Sequence, residues 1–260
     1  MGIFSAGNSH NSLIDALPPL EDIANLRSGR NPREGYQRGA GLRYFGLGEK
    51  IQAEPDFREA EALALGRTIV ALPRLMNLYL LIRFFLPRIG PGHIIEFGSY
   101  RGGSALFMAK LAQRHLPGVQ VYALDTFQGM PETDKTVDAH NAKDFDGPDL
   151  VEMEAVRVRN RLDNLHLIRG LFQETAPELL AKAKTIALAH IDCDIYSAVA
   201  FAWDAVKPHM TPGGYVVFDD ATECTCLGAT EAVERLAVAR DGLFSEQIDP
   251  HFVFRYPPLS

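Results

Sequence analysis

The chain reads as an α/β protein whose mostly parallel sheet is flanked by helices, and three observations lead there. From His93 onward, short apolar runs alternate with amphipathic segments. Glycines or acidic residues close those runs. Two successive runs end in paired aspartates, Asp192 with Asp194 and Asp219 with Asp220. Strand–helix alternation at this spacing implies βαβ units. Strands are predicted at residues 93–97, 119–124, 165–168, 185–191 and 215–218. Helices are predicted between them, at 103–114, 150–162, 176–183 and 197–206. After Asp220 a helix at 229–239 precedes two short strands, at 246–248 and 252–255.

Upstream of the sheet the pattern changes. Residues 1–92 form an N-terminal extension and helical cap, and residues 93–260 form the ligand-binding domain. The first sixty or so residues are rich in glycine, proline and arginine, with weak periodicity; they are a mobile tail or an ordered cap. Residues 55–86 turn helical, with a break expected at Pro73. The most apolar stretch, 69–86, holds Pro73, Arg74, Asn77 and Arg83, so it reads as a buried helix and not a membrane span. Gly2 is present, but position 6 lacks the hydroxyl of a myristoylation site.

Bulk properties exclude several partners. The 260 residues carry 26 basic and 33 acidic side chains, a net charge of −7. Non-specific nucleic-acid binding needs a basic face, and an anionic membrane surface attracts one. Neither partner is expected. The cysteines, Cys193, Cys224 and Cys226, fit no zinc spacing and read as reduced cytoplasmic thiols.

The aspartate pairs carry the chemistry. In an open α/β sheet, ligands sit outside the carboxyl ends of strands. Four carboxylates there repel one another unless a cation or proton joins them. All-oxygen ligation suits a hard divalent ion such as Mg2+. Asp is also a favoured helix cap, which accounts for one pair more easily than for two. Cys224 and Cys226 lie nearby, but four carboxylates favour a harder ion than thiols do.

The first strand runs into Glu96-Phe-Gly98-Ser99-Tyr-Arg-Gly102-Gly103-Ser104. This is not the G-x-G-x-x-G turn that brings a helix N-terminus against a pyrophosphate. Its wider spacing suits a ligand without phosphates, such as S-adenosylmethionine. Glu96 lies near the cationic end of that ligand or holds the loop. Asp125, ending the second strand, accepts ribose hydroxyls or caps a turn. Gly170 and Phe172, after the third strand, border the adenine or simply turn the chain. The polar segment 127–149 leaves the second strand and is long enough for a lid.

These motifs resemble the macrocin O-methyltransferase family, bacterial enzymes that methylate sugar hydroxyls of natural products. The resemblance rests on Arg67-Thr68-Ile-Val-Ala-Leu-Pro-Arg-Leu-Met-Asn-Leu78, the Glu96–Gly103 loop, Asp125-Thr126-Phe127-Gln-Gly-Met-Pro-Glu132, Gly170-Leu-Phe172-Gln-Glu-Thr-Ala-Pro177, Ile191-Asp-Cys-Asp-Ile-Tyr196 and the Pro212–Asp220 run. It covers about residues 65–220. It implies a class I methyltransferase (Rossmann-like) fold, magnesium and often a homodimer. It places Asp192, Asp219 and Asp220 on the metal and Asp194 as general base. Cofactor contacts are implied at Thr68, Glu96, Gly98, Ser99, Gly102, Gly103, Ser104, Asp125, Thr126, Phe127, Gly170, Phe172 and Asp192. Cys193 departs from the family's usual glycine, and Ala221 from its usual tyrosine.

The expected reaction is methyl transfer to a hydroxyl of a glycoside or polyol. Three rivals share some of these features: a methyltransferase of a catechol-like phenol, a nicotinamide-dependent sugar-nucleotide enzyme and a non-catalytic cofactor-binding module. His190 is expected to face away from the aspartates as a core histidine, and His140, in the lid, to lie on the surface, with help as a base the alternative. Tyr196 touches substrate or packs, and Trp203 is expected in the core.

Overall fold

The structure, a computed structural model, describes residues 39–44, 46–147 and 150–257. The expectation of a tail or cap at residues 1–38 falls outside them. Six strands form one sheet: β1 (His93–Phe97), β2 (Val121–Asp125), β3 (Leu165–Arg169), β4 (Ile186–Ile191), β5 (Met210–Phe218) and β6 (Phe252–Tyr256). Their order is β3-β2-β1-β4-β5-β6; the first five are parallel and β6 is antiparallel to β5. The chain reverses its direction of strand addition between β1 and β4, which opens a crevice at their carboxyl ends.

Both faces of the sheet are covered, which explains the near-continuous apolar runs. All six residues of β4 are buried. Alternation divides each strand between two cores. Ile94, Val121, Leu188 and Val217 face α1 (Leu47–Ala53), α2 (Pro55–Ala64), α3 (Leu72–Leu80) and α4 (Gly103–His115). Ile95, Leu124, Ala189 and Val216 face α6 (Phe172–Ala183), α7 (Tyr196–Val206) and the helical segment begun by α8 (Leu227–Ala232). Helix α5 (Leu150–Arg159) buries Met153 and Val156. The boundary expected at residue 92 therefore divides the sequence but not the core: α1–α3 form one wall of it. Trp203 is buried as expected, 1% exposed, with its indole N–H donated to Asp241 Oδ2 at 2.8 Å.

Several boundaries differ from expectation. Pro73 begins α3 rather than breaking a helix, because a proline in the first turn loses no intrahelical bond. The break lies upstream, after Ala64. The helical run after Leu80 widens into a π turn over Leu81–Phe85. Helix α6 starts at Phe172, earlier than the expected 176, and carries Pro177 inside it. Residues 246–248 are not a strand; Gln247 makes an isolated bridge to Val253. Among the described residues no helix is long and apolar enough to cross a membrane.

Candidate active site

A cavity of about 320 Å³ opens at the carboxyl ends of the strands. Its wall draws on the segment before α3, the β1–α4 and β2 loops, the start of α6, both aspartate pairs and residues 223–226.

On one side lies the glycine loop. Gly98 has φ +87°, and a Cβ there would meet the Asp192 carbonyl oxygen at 1.7 Å. Only glycine lets the ends of β1 and β4 close this far. The Asp125 carboxylate accepts the backbone amides of Ser99 and Tyr100, both at 2.8 Å, and of Phe127 at 2.7 Å. It thus caps the turn, and about one of its roughly four acceptor sites is left for a ligand hydroxyl. Glu96 is fully buried beneath the loop. It accepts the Ser99 hydroxyl at 2.7 Å and faces His190 Nδ1 at 3.0 Å. It holds the loop and is absent from the cavity wall.

Thr68, Gly98, Ser99, Ser104, Asp125, Thr126, Phe172, Asp192, Asp194, Asp219 and Asp220 all reach the wall. Gly102, Gly103, Phe127 and Gly170 do not. Gly103 instead allows close contact with Arg67 and Thr68, from which a Cβ would lie 2.7 Å. Phe127 is buried with its amide spent on Asp125. Phe172 borders the cavity and sets its ring edge-on to Phe97 at 5.3 Å.

On the other side are the acids. Asp192, Asp219 and Asp220 each bring an oxygen within 4.8 Å of the other two. They do not share one environment. Asp219 is 1% exposed yet well paired. Its Oδ2 accepts Arg74 Nη1 at 2.7 Å; its Oδ1 faces His190 Nε2 at 3.3 Å and His251 Nδ1 at 3.2 Å. Burial pushes this carboxyl up, but the hydrogen bonds from His190 and His251 outweigh it and hold Asp219 well below the usual carboxylate range. Burial likewise pushes His190 down, and its bonds to Asp219 and Glu96 raise it to about 9. Asn77 Nδ2 meets His251 Nε2 at 2.7 Å, which leaves Nδ1–H to donate to Asp219.

Asp192 and Asp220 lack such partners. Among the described residues no side-chain donor bonds either carboxylate; Asp220 accepts only the Asp194 amide, at 3.0 Å. Burial, then the neighbouring carboxylates, push both far above the usual range. Burial also raises Asp194, against the pull of Cys226 and His140. Metal-free, these groups compete for protons; a divalent cation would relieve all of them together. The donor set, three carboxylates at a cavity wall, fits a hard ion.

The lid holds a correction. His140 is not a surface histidine. It lines the cavity, with Nε2 3.8 Å from Asp194 Oδ1 and 3.6 Å from Cys226 Sγ. The lid reaches this position because it folds on itself, the Met130 amide donating to the Asp144 carbonyl and the Lys143 amide to the Met130 carbonyl, both at 2.9 Å, and because Asp138 accepts the Tyr196 amide at 2.8 Å. Tyr196 thereby docks the lid through its backbone. His190 is the core histidine expected, 0% exposed, but it does not face away from the acids: residues 190 and 192 share one side of a strand, so it lies beneath them. Arg74 and His251 escaped sequence reasoning, since both come from distant segments; a cation inside an apolar helix was the available sign of Arg74.

The fold is that of class I O-methyltransferases. A calicheamicin methyltransferase superposes over 90% of this chain and 100% of its own, with TM-score 0.64 and 22% identity. The family described as Macrocin-O-methyltransferase (TylF) matches residues 49–249, and the chain belongs to that family. It is 28% identical over 204 residues to 8-demethyl-8-(2,3-dimethoxy-alpha-L-rhamnosyl)-tetracenomycin-C 4'-O-methyltransferase of Streptomyces olivaceus, covering 74% of this chain and 77% of that one. It is 26% identical over 208 residues to demethyldecarbamoylnovobiocin O-methyltransferase of Streptomyces niveus, covering 70% and 76%. Membership removes the nicotinamide and non-catalytic rivals.

Proposed function

We propose that this O-methyltransferase moves the methyl group of S-adenosylmethionine to a hydroxyl of a sugar or glycosylated natural product, assisted by Mg2+ at Asp192, Asp219 and Asp220. The observation that carries the reading is the split among the acids: Asp219 is neutralised by Arg74 and the histidines, while Asp192 and Asp220 face the cavity with no side-chain donor among the described residues. The names of the tetracenomycin and novobiocin relatives support a glycosylated acceptor. The free thiols Cys193, Cys224 and Cys226 support a reducing, cytoplasmic setting.

A divalent ion, when bound, supplies Lewis acidity that lowers a hydroxyl's pKa. The chain's own residues do the rest. Asp194 presents its carboxylate at the wall, where burial raises its affinity for the proton that an alcohol would give up. Asp125 and the loop that it organises offer acceptors for the ribose. Thr68, Phe172 and the lid residues Met130 and Phe145 enclose the donor and keep water from it. Alignment of the acceptor oxygen with the methyl carbon then supplies much of the rate.

The test is incubation with S-adenosylmethionine, Mg2+ and a panel of deoxysugar glycosides, read by product mass. One added methyl on a sugar hydroxyl is expected. It should vanish with EDTA and fall about 10²- to 10⁴-fold in Asp194→Asn. Methylation of catechols with none of any glycoside would overturn the acceptor class, and full turnover in EDTA would remove the metal.

A further inference from the structure

We propose that His140, Asp194 and Cys226 form a second cation site, built for Zn2+ or a comparable transition ion, and that filling it shuts the methyl-transfer centre. The three ligands come from three separate elements: the lid, the β4–α7 turn and the residue before α8. Sγ lies 3.2 Å from Asp194 Oδ1 and 3.6 Å from His140 Nε2, and Nε2 lies 3.8 Å from Oδ1. Tetrahedral zinc with ordinary bond lengths sets such ligand atoms about 3.3–3.6 Å apart. The trio is therefore within about half an ångström of the zinc triangle without any backbone shift.

Four further features support the assignment. The donor set is sulfur, nitrogen and one oxygen, which selects a softer ion than the all-oxygen trio of Asp192, Asp219 and Asp220. His140 Nδ1 sits 3.3 Å from Asp144 Oδ2. That carboxylate fixes the tautomer with hydrogen on Nδ1 and turns the Nε2 lone pair toward Cys226, the outer contact that metal-bound histidines regularly make. All three ligands line the cavity, so the fourth position of a tetrahedron opens toward it. Finally, Cys226 is 4% exposed, belongs to no disulfide and holds its sulfur against both other ligands. On binding, the Cys226 S–H proton leaves to solvent and a metal–sulfur bond forms.

Occupation has two consequences. It joins the lid, through His140, to the floor of the site. It also ties up the Asp194 oxygen; the resulting inhibition rests on Asp194 being the base, as proposed above.

The experiment is Co2+ titration of the full chain saturated with Mg2+, followed by thiolate-to-cobalt charge-transfer absorption. One equivalent should produce the band, and Zn2+ should bleach it. Cys226→Ser should abolish it, Cys224→Ser and Asp220→Asn should keep it, and Asp144→Ala should weaken affinity about 10- to 100-fold. Circular dichroism melts confirm that each variant is folded. No band, or a band that survives in folded Cys226→Ser, overturns the site. In a parallel assay, Zn2+ should stop methyl transfer by the Mg2+-loaded protein. Undiminished turnover with the cobalt band fully bleached overturns the shut-off alone, whereas absence of turnover before Zn2+ is added overturns the methyl-transfer reading and leaves the spectroscopic result standing.

Discussion

Replacing Arg74 by methionine tests the charge arrangement most directly. Arg74 is 7% exposed and holds four partners: Asp219 at 2.7 Å, the Pro250 carbonyl at 3.1 Å, Thr222 Oγ1 at 3.2 Å and Glu223. The Glu223 side chain is 45% exposed, so that pair is worth no more than about 1 kcal/mol. The two neutral acceptors regain water on one side and contribute about 1 kcal/mol together. Asp219 decides the outcome. Left buried with only the histidines, it should cost about 3–5 kcal/mol, the usual penalty for removing one partner of a buried ion pair. For a chain of this size that lowers Tm by roughly 6–20 °C. Thermal and urea denaturation of the metal-free protein measure it. Arg74→Met/Asp219→Asn should recover more than half of the loss, since the cycle removes the stranded charge. Mg2+ should stabilise Arg74→Met more than the parent, because the guanidinium no longer competes for Asp219. A loss below about 1 kcal/mol, or a double variant no better than the single, would refute the view that Asp219 is held ionised by protein cations.

Three further outcomes follow from the same structure. His190, raised to about 9 from 6.5, contributes stability that is complete below pH 6.5 and lost as pH climbs through 9; metal-free melts should show that decline, and His190→Gln should flatten it. Asp56 is 5% exposed and joins α2 to α3 and α4 through Tyr79 at 3.2 Å, Arg83 at 3.4 Å and His115 at 2.7 Å. Burial raises its carboxyl, but the His115 bond and the Arg83 charge lower it further, so its contribution exists above about pH 4 and fades below; Asp56→Ala should cost about 3 kcal/mol at pH 7 in urea melts. Because burial and the neighbouring carboxylates raise Asp192 and Asp220, Mg2+ binding should be accompanied by proton release, seen as calorimetric heats that scale with buffer ionisation enthalpy.

What the sequence disclosed follows from distance along the chain. Each strand announces itself by a local apolar run, and each aspartate pair by its place at the end of one. The parallel crossover from β4 to β5 then brings the two pairs together whatever the intervening residues. Partners fixed by packing had no local sign. Arg74 meets Asp219 across 145 positions, and Asn77 meets His251 across 174. Glu96 and His190 could be matched only once β1 and β4 were known to be neighbours, where they pair in register. A polar residue within an apolar strand was the sign available for both. His140 was hidden for another reason: the lid carries little periodicity, and its placement depends on Asp138 finding the Tyr196 amide.

The buried polar residues form a sequence of alternating charge. From the rim inward it runs Glu223, Arg74, Asp219, His190, Glu96, and ends on the Ser99 hydroxyl. Each member has an opposite neighbour, so this row needs no ligand to be stable. It also fixes Asp219 relative to the glycine loop, because Glu96 of β1 accepts the hydroxyl of Ser99 in that loop. The remaining acids, Asp192, Asp194 and Asp220, stand outside the row and face the cavity. Among the described residues Asp192 and Asp220 meet no side-chain donor, and burial with the neighbouring carboxylates raises both. The proposed Mg2+ would supply to Asp192 and Asp220 the positive charge that Arg74 and the histidines supply to Asp219.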